Sequence, residues 1–327
     1  MKKTKAGIIG GAGYTGGELL RLLLLHPSAE LVFVQSTSNA GKPVTHVHTD
    51  LLGETESLFS SDFSHDVDVI FLCGGHDAAR RFLTENQLPD GIVIIDLSQD
   101  FRHQESNGIG SRIFTYGLPE LQRDRIKAAK NIANPGCFAT AIQLALLPLA
   151  HAGAIQGDIH VNATTGSTGA GQALSDTTHF SWRDSNVSVY KAFTHQHLKE
   201  IRESLSSLQS GLSTDIHFVP QRGNFTRGIL ASVYLDCDLD ISQATALYQN
   251  YYASHPFVQV ASAEVNIKQV VNTNRCFLHL EKHGSKLLVT SVIDNLLKGA
   301  AGQAVQNMNL IFGADEKAGL QLKPSAF

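Results

Sequence analysis

The sequence predicts an α/β protein: a doubly wound parallel sheet joined to a second, α+β domain. Three observations carry that expectation. Short apolar runs alternate with helical patterns through the first 150 residues, the signature of βαβ units. A glycine-rich loop separates the first run from the first helix. After Gly153 the runs lengthen and stop alternating one-to-one with helices.

In order, "AGIIG" (6–10) reads as a strand and "TGGELLRLLLLH" as the helix that follows. "LVFVQ" (31–35), "DVIFL" (68–72), "GIVIID" (91–96) and "NIA" (131–133) are further strands, with a helix from about His76. In the second part "GDIHVNATT", "DIHFVP", "RGILASVYLD" and "CFLHLEKHGSKLLVTSVID" read as strands, with "EKHGSK" as a hairpin turn. "HLKEIRESLSSL" and "SQATALYQNYYASH" read as helices between them. The helical tail "NLLKGAAGQAVQNMNLIF" carries small residues on one side and is expected to return to the first domain. The expected limits are 1–136 with 295–327 for a dinucleotide-binding domain, and 137–294 for a catalytic and oligomerisation domain.

A chain of 327 residues, 43% apolar, builds such cores readily. The formal charge of −4 and the absence of a lysine-arginine run argue against nucleic-acid or anionic-membrane partners. No apolar run approaches the roughly 20 residues that span a bilayer, and the N-terminus breaks on glycines too early for a signal-peptide core. A cytoplasmic protein is expected. Four cysteines without knuckle or C-x-x-C spacing suggest neither a metal site nor a disulfide framework.

Gly11-Ala12-Gly13-Tyr14-Thr15-Gly16 follows a strand and opens a helix, so the Rossmann-type dinucleotide site is placed there. The second strand ends in "VQSTSNAGK", with no acid to hold a ribose 2′-hydroxyl. Ser36, Thr37, Ser38 and Lys42 are positioned to receive a 2′-phosphate, which favours NADP over NAD.

Cys137 follows Pro135-Gly136 and heads the helical pattern of "CFATAIQLALLPL". A helix N-terminus stabilises a thiolate. Cys73, Cys237 and Cys276 lie in or at the end of apolar strands and read as core. A thiolate with a nicotinamide suggests acyl transfer to sulfur and then hydride reduction. His195 and His197 offer the proton shuttle, and Glu200, three residues after His197, can orient its ring. The loop "NATTGSTGAGQ" packs Gly166, Ser167, Gly169 and Gly171, and is expected to present backbone N–H groups to a substrate phosphate or carbonyl. Arg222 and Arg227 are candidate grips for a carboxylate or phosphate. Arg102 of "DLSQDFR" is a further substrate candidate or a partner for Asp96, and "YGLPE" (116–120) reads as a polar turn.

Taken together, "GGAGYTGGELLRLL", "DLSQDFR", "YGLPE", "NPGCFATAIQLAL", "TGSTGAG", "FTHQHLKEI", "TRGI" and "DNLLKGAAGQAVQNMNL" resemble the N-acetyl-gamma-glutamyl-phosphate reductases. These are relatives of aspartate-semialdehyde dehydrogenase. The resemblance implies NADPH-dependent reduction of an N-acylated glutamyl phosphate in arginine biosynthesis, by a homodimer or homotetramer. It implies Cys137 as nucleophile, His195 and His197 in the site with His197 slightly favoured as base, and Asn295 and Lys298 beside the cofactor. Departures stand out: "THQH" for the commoner "THRH", Lys199 where a proline is usual, and Arg222 as an extra charge. Arg222 hints at a succinyl rather than an acetyl group on the substrate. Aspartate-semialdehyde dehydrogenase and a non-catalytic NADP-binding redox sensor are the rival readings. A carrier-linked aminoadipate reductase is disfavoured, because no basic docking cluster is present.

Overall fold

A computed structural model describes residues 3–325 and divides them into two compact units. One holds residues 3–135 and Ala300–Gln321; the other holds Gly136–Gly299 and residues 322–325. The chain thus re-enters the first unit at Ala300, later than the expected 295, and Gly136 belongs with the thiol rather than with the strand before it.

In the first unit, β1 (Thr4–Ile9), α1 (Tyr14–Leu24), β2 (Ala29–Gln35), β3 (Val69–Leu72), α2 (Ala78–Glu85) and β4 (Val93–Asp96) follow the expected alternation. A small ribbon, β5 (Gly108–Ile109) and β6 (Arg112–Ile113), precedes β7 (Thr115–Tyr116), α3 (Pro119–Lys127) and β8 (Asn131–Ala133). The main sheet runs β2-β1-β3-β4-β8-β7, and every pairing in it is parallel. β3 and β4 are buried along their whole length, as strands covered on both faces must be. The order reverses at β1, so the crevice at the end of β1 is the topological switch point, where α/β sheets bind their ligands. The polar motif at 116–120 is more than a turn: Pro119 opens α3, its fixed φ suiting the first helical position. The C-terminal helix Gly302–Ile311 packs beside α1 and α3. Two of its buried amides tie it to the rest of the unit: Asn309 Oδ1 lies 3.0 Å from His26 Nε2, and Asn307 Nδ2 donates to the Gly117 carbonyl at 2.9 Å.

The second unit contains α4 (Cys137–His151), β9 (Gln156–Thr165), the single turn α5 (Phe180–Arg183), β10 (Ser188–Val189) and α6 (His197–Leu208). β11 (Ile216–Arg222), β12 (Ile229–Asp236), α7 (Ile241–Tyr252), β13 (Val258–Ala261), β14 (Cys276–His283) and β15 (Lys286–Ile293) complete it. The seven strands form one mixed sheet, β10-β11-β9-β12-β15-β14-β13. β14 and β15 are the expected hairpin, closed by His283 opposite Lys286, with Gly284 at φ +58 in the turn. α4 lies against β9, β12, β14 and β15, with α6 and α7 as neighbours. Every residue of α4 from Phe138 to Ala150 is buried, so its sequence shows no polar face. Among the described residues no helix is long and apolar enough to cross a membrane.

Pro148 lies inside α4 and cannot donate to the Leu144 carbonyl one turn earlier. α7 repairs the gap: the Tyr252 hydroxyl donates to Leu144 O at 2.5 Å, and Tyr248 donates to Ala145 O at 2.5 Å. Tyr252→Phe leaves a buried carbonyl without that donor. The expected cost is about 1–3 kcal/mol, read as a lower urea midpoint at unchanged m-value.

Candidate active site

In the first unit the glycine loop lies at the switch point, between the end of β1 and the start of α1. The backbone N–H groups of Gly10 and Gly11 both donate to Gln35 O, at 3.1 and 2.9 Å, and tie the loop to the end of β2. The residue that needs a positive φ is Gly10, at +79, one position before the motif read from the sequence. A Cβ on Gly11 would lie 2.2 Å from Val34 Cγ1, and one on Gly16 would lie 2.6 Å from Gly11 Cα, so both glycines are demanded by packing. Gly13 differs: a Cβ there meets nothing nearer than 3.9 Å. Its bare position keeps space open over the start of α1, where no side chain caps the helix. First-turn N–H groups without intrahelical acceptors suit a pyrophosphate, and Tyr14 and Thr15 open that turn. His48, which no local motif singles out, backs the loop by bonding Gly11 O at 2.8 Å.

β2 ends on Gln35 without an acid. Beyond it Ser36 is buried, while Thr37, Ser38 and Lys42 are exposed. Asn39 links two of them: its Nδ2 donates to Ser38 Oγ at 3.2 Å and its Oδ1 accepts from Lys42 Nζ at 3.5 Å.

In the second unit, Cys137 is the first residue of α4, directly after a glycine N-cap with no capping side chain. It is only partly covered, whereas Cys237 and Cys276 are buried. Cys73, expected as core, is also only partly covered, because it lies one residue past the end of β3. Phe138, the next residue of α4, packs edge-on against His195 and His197, with ring centroids at 5.6 and 6.4 Å. The two imidazoles meet at 4.5 Å. Glu200, 2% exposed, faces His197 Nε2 across 3.8 Å through Oε1, and its Oε2 accepts from the Gly136 N–H at 3.2 Å. One carboxylate therefore joins the histidine to the turn that delivers the thiol. His195 is held differently: its Nδ1 accepts from the His197 backbone N–H at 3.2 Å, which leaves Nε2 to carry the proton of the neutral ring. Burial, then the charges of His197 and Lys191, push His195 down to about 3.

Several sequence candidates have other partners. Arg227 grips the buried Asp294, with Nε and Nη2 on its two oxygens at 3.0 and 3.2 Å, instead of standing free for substrate. Asp294 also accepts from the N–H groups of Asn272, Leu296 and Leu297. Asn295, expected beside the cofactor, has both ends of its amide engaged inside the second unit: Oδ1 accepts from Gly228 N at 2.7 Å and Nδ2 donates to Thr168 Oγ1 at 3.0 Å. Lys298 is fully buried in the same unit, 5.9 Å from the centroid of the Phe257 ring. The loop of Ser167 and Gly169 does not present the expected free N–H groups. Those of Gly166, Ser167 and Thr168 donate to the carbonyls of Gly228, Phe225 and Thr226, and those of Gly169 and Gly171 close turns within the loop. Arg102 directs Nε to Asn134 O at 2.9 Å and Nη2 to Leu97 O at 3.2 Å, while Asp96 accepts from the backbone and hydroxyl of Ser98. A residue not singled out from the sequence matters more: a Cβ on Gly299 would lie 2.7 Å from Cys137 Cβ. Its only signal was the small-residue run "KGAAG".

Comparison with known proteins agrees with both units. The family model for the semialdehyde dehydrogenase NAD binding domain matches residues 5–129, and that for the semialdehyde dehydrogenase dimerisation domain matches residues 137–295. The N-acetyl-gamma-glutamyl-phosphate reductase of Parabacteroides distasonis is 55% identical over 324 residues, 99% of each chain. That of Flavobacterium johnsoniae is 54% identical over 98% of this chain and 99% of its own. Among solved structures, aspartate semialdehyde dehydrogenase II of Vibrio cholerae shares the fold at TM-score 0.73 and 16% identity, covering 96% of this chain and 99% of its own.

Two outcomes follow from the geometry around the thiol. Gly299→Ala drives a methyl group against Cys137 and is expected to slow thiol alkylation at least about tenfold, since a misplacement of about 1 Å is costly at a reacting centre; an unchanged rate means the wall yields. His195, whose ordinary value is 6.5, stays neutral in the fold while the unfolded chain takes a proton. Its contribution to stability is full above that ordinary value and is lost as pH falls toward about 3, at up to about 1.4 kcal/mol per pH unit. His195→Asn is expected to flatten the pH–stability profile across that window in denaturant titrations.

Proposed function

Because the chain belongs to the N-acetyl-gamma-glutamyl-phosphate reductase family, we propose that it reduces an N-acyl-gamma-glutamyl phosphate to the N-acyl-glutamate 5-semialdehyde, with NADPH as donor and phosphate released. The observation that carries this reading is the Glu200 bridge between His197 and the Gly136 turn, one residue before Cys137. The Cys137 thiolate attacks the acyl carbon; the bond from that carbon to the phosphate oxygen breaks, and phosphate leaves with the electron pair. When bound, the reduced nicotinamide supplies the hydride that turns the resulting thioester into a thiohemiacetal. His197, held by Glu200, gives a proton to the thioester oxygen as the hydride arrives and takes it back as the carbon–sulfur bond breaks, the sulfur leaves as thiolate and the aldehyde departs. Neutral His195 donates a hydrogen bond from Nε2 to the substrate oxygen.

The cradle at Gly11, Gly13 and Gly16 fits a pyrophosphate, because the space above Gly13 is one a side chain would fill. Ser38 and Lys42, exposed past an acid-free β2, favour the 2′-phosphate of NADP. The working form is a homodimer or homotetramer assembled through the second unit, in line with the family model's description of it as a dimerisation domain. We place the reaction in cytoplasmic arginine biosynthesis.

The test is the reverse reaction: phosphate-dependent reduction of NADP by an N-acylglutamate semialdehyde. Turnover is expected with NADP in preference to NAD. Cys137→Ser is expected to abolish it while NADP binding persists. Retained turnover in that variant removes the thioester mechanism, and binding without turnover in the wild type leaves the redox-sensor reading.

A further inference from the structure

β11 places Ile216, Phe218, Pro220 and Arg222 on one face by strand alternation. Phe218 packs on Phe138 at 5.2 Å and on His195 at 5.3 Å, so this face is the one that carries the thiol helix and the histidines. Arg222 continues the row at the end of the strand. Its guanidinium carbon lies 4.8 Å above the Tyr190 ring, which in turn meets His195 at 5.8 Å. Tyr190 is pushed up to about 12 by burial and then by the nearby Cys137, so the shelf under Arg222 adjoins the thiol.

This arginine lacks an anion. No carboxylate pairs with Arg222 or with its neighbour Arg183 among the described residues, and Arg222 Nε is buried without a hydrogen-bond partner. Arg183, 7% exposed, donates Nη1 to Arg222 O at 2.9 Å and Nη2 to Thr177 O at 3.1 Å, adding a second positive charge. Thr165 is the register partner of Arg222 on the adjoining parallel strand and faces the same way. It is 2% exposed, and its Oγ1 has no partner. A buried hydroxyl and a buried guanidinium N–H left open on register partners of adjoining strands are costly unless a ligand completes them.

We infer that Arg222, shelved on Tyr190 beside the strand of Thr165, receives a carboxylate of the substrate's acyl-glutamate chain. The inference rests on the function proposed above. A planar fork matches a carboxylate, and the ring-width separation from His195 suits an anion several bonds from the reacting carbon. Two carboxylates have that chemistry: the glutamyl α-carboxylate, present in every substrate, and the terminal carboxylate of a succinyl group, absent from an acetyl group.

The experiment compares Arg222→Met and Arg222→Lys with the wild type in the reverse assay, using N-acetyl- and N-succinyl-glutamate semialdehydes. Arg222→Met is expected to raise KM at least about tenfold, the loss of about 1.4 kcal/mol of binding, with a smaller effect on kcat; Arg222→Lys recovers part of it. A rise for both substrates identifies the α-carboxylate, and a rise for the succinyl substrate alone identifies the acyl carboxylate. Unchanged KM for both, or a loss confined to kcat, overturns the inference. Calorimetric titration of the full chain with N-acetyl- and N-succinyl-L-glutamate reads the same subsite without turnover. A wild type that turns over neither semialdehyde therefore sinks the proposed reaction while the subsite is still decided. If Arg222→Met does not fold, Tyr190→Leu removes the shelf and must weaken the same binding.

Discussion

The carboxylate of Glu200 is the constraint on which the thiol site depends. It is buried, it faces His197, and it accepts the N–H of Gly136, the residue that caps the thiol helix. A buried carboxylate is costly unless polar groups surround it. Here those groups are the parts that chemistry requires to be in register: the imidazole facing it and the N–H of the turn before the nucleophile. The sequence spacing of His197 and Glu200 on one helix turn makes the first contact local. The second reaches across 64 positions in sequence and fixes α6 against α4.

The same physical device appears twice in the chain. α1 and α4 both begin directly after a glycine, Gly13 and Gly136, and neither has a side-chain cap. An ordinary helix would place Ser, Thr, Asp or Asn there to occupy the free N–H groups. Leaving them open keeps a positive helix end available. In the first unit the opening suits a phosphate group, and in the second it favours a sulfur anion on the first helical residue.

Around the second opening, polar side chains that look like ligands in sequence are structural ties. Arg227 and Asp294 form a buried two-point pair, and Asn295 fastens the segment after β15 to Gly228 and Thr168. Breaking such a buried pair by removing one partner typically costs about 3–5 kcal/mol. They hold the ends of β9, β12 and β15 together, and the Gly299 N–H donates to Asp294 O at 2.9 Å. Arg222 is the contrast: the same residue type at the end of β11, on the site face, with no acid paired to it among the described residues.

The sequence alone determined the alternation of the first unit, the glycine loop at the switch point, the hairpin of the second sheet, and the candidacy of Cys137, His195, His197 and Glu200. Each is written in local spacing: a period of residues, a turn dipeptide, a helix turn. It missed α3, because "PELQRDRIK" has little apolar periodicity. It also missed Gly299 and His48, whose importance lies in what they touch far along the chain. Which arginine is neutralised and which is left with an open charge was decided only by tertiary structure. Pairing of a buried charge depends on which strand ends are brought side by side, and no local pattern records that.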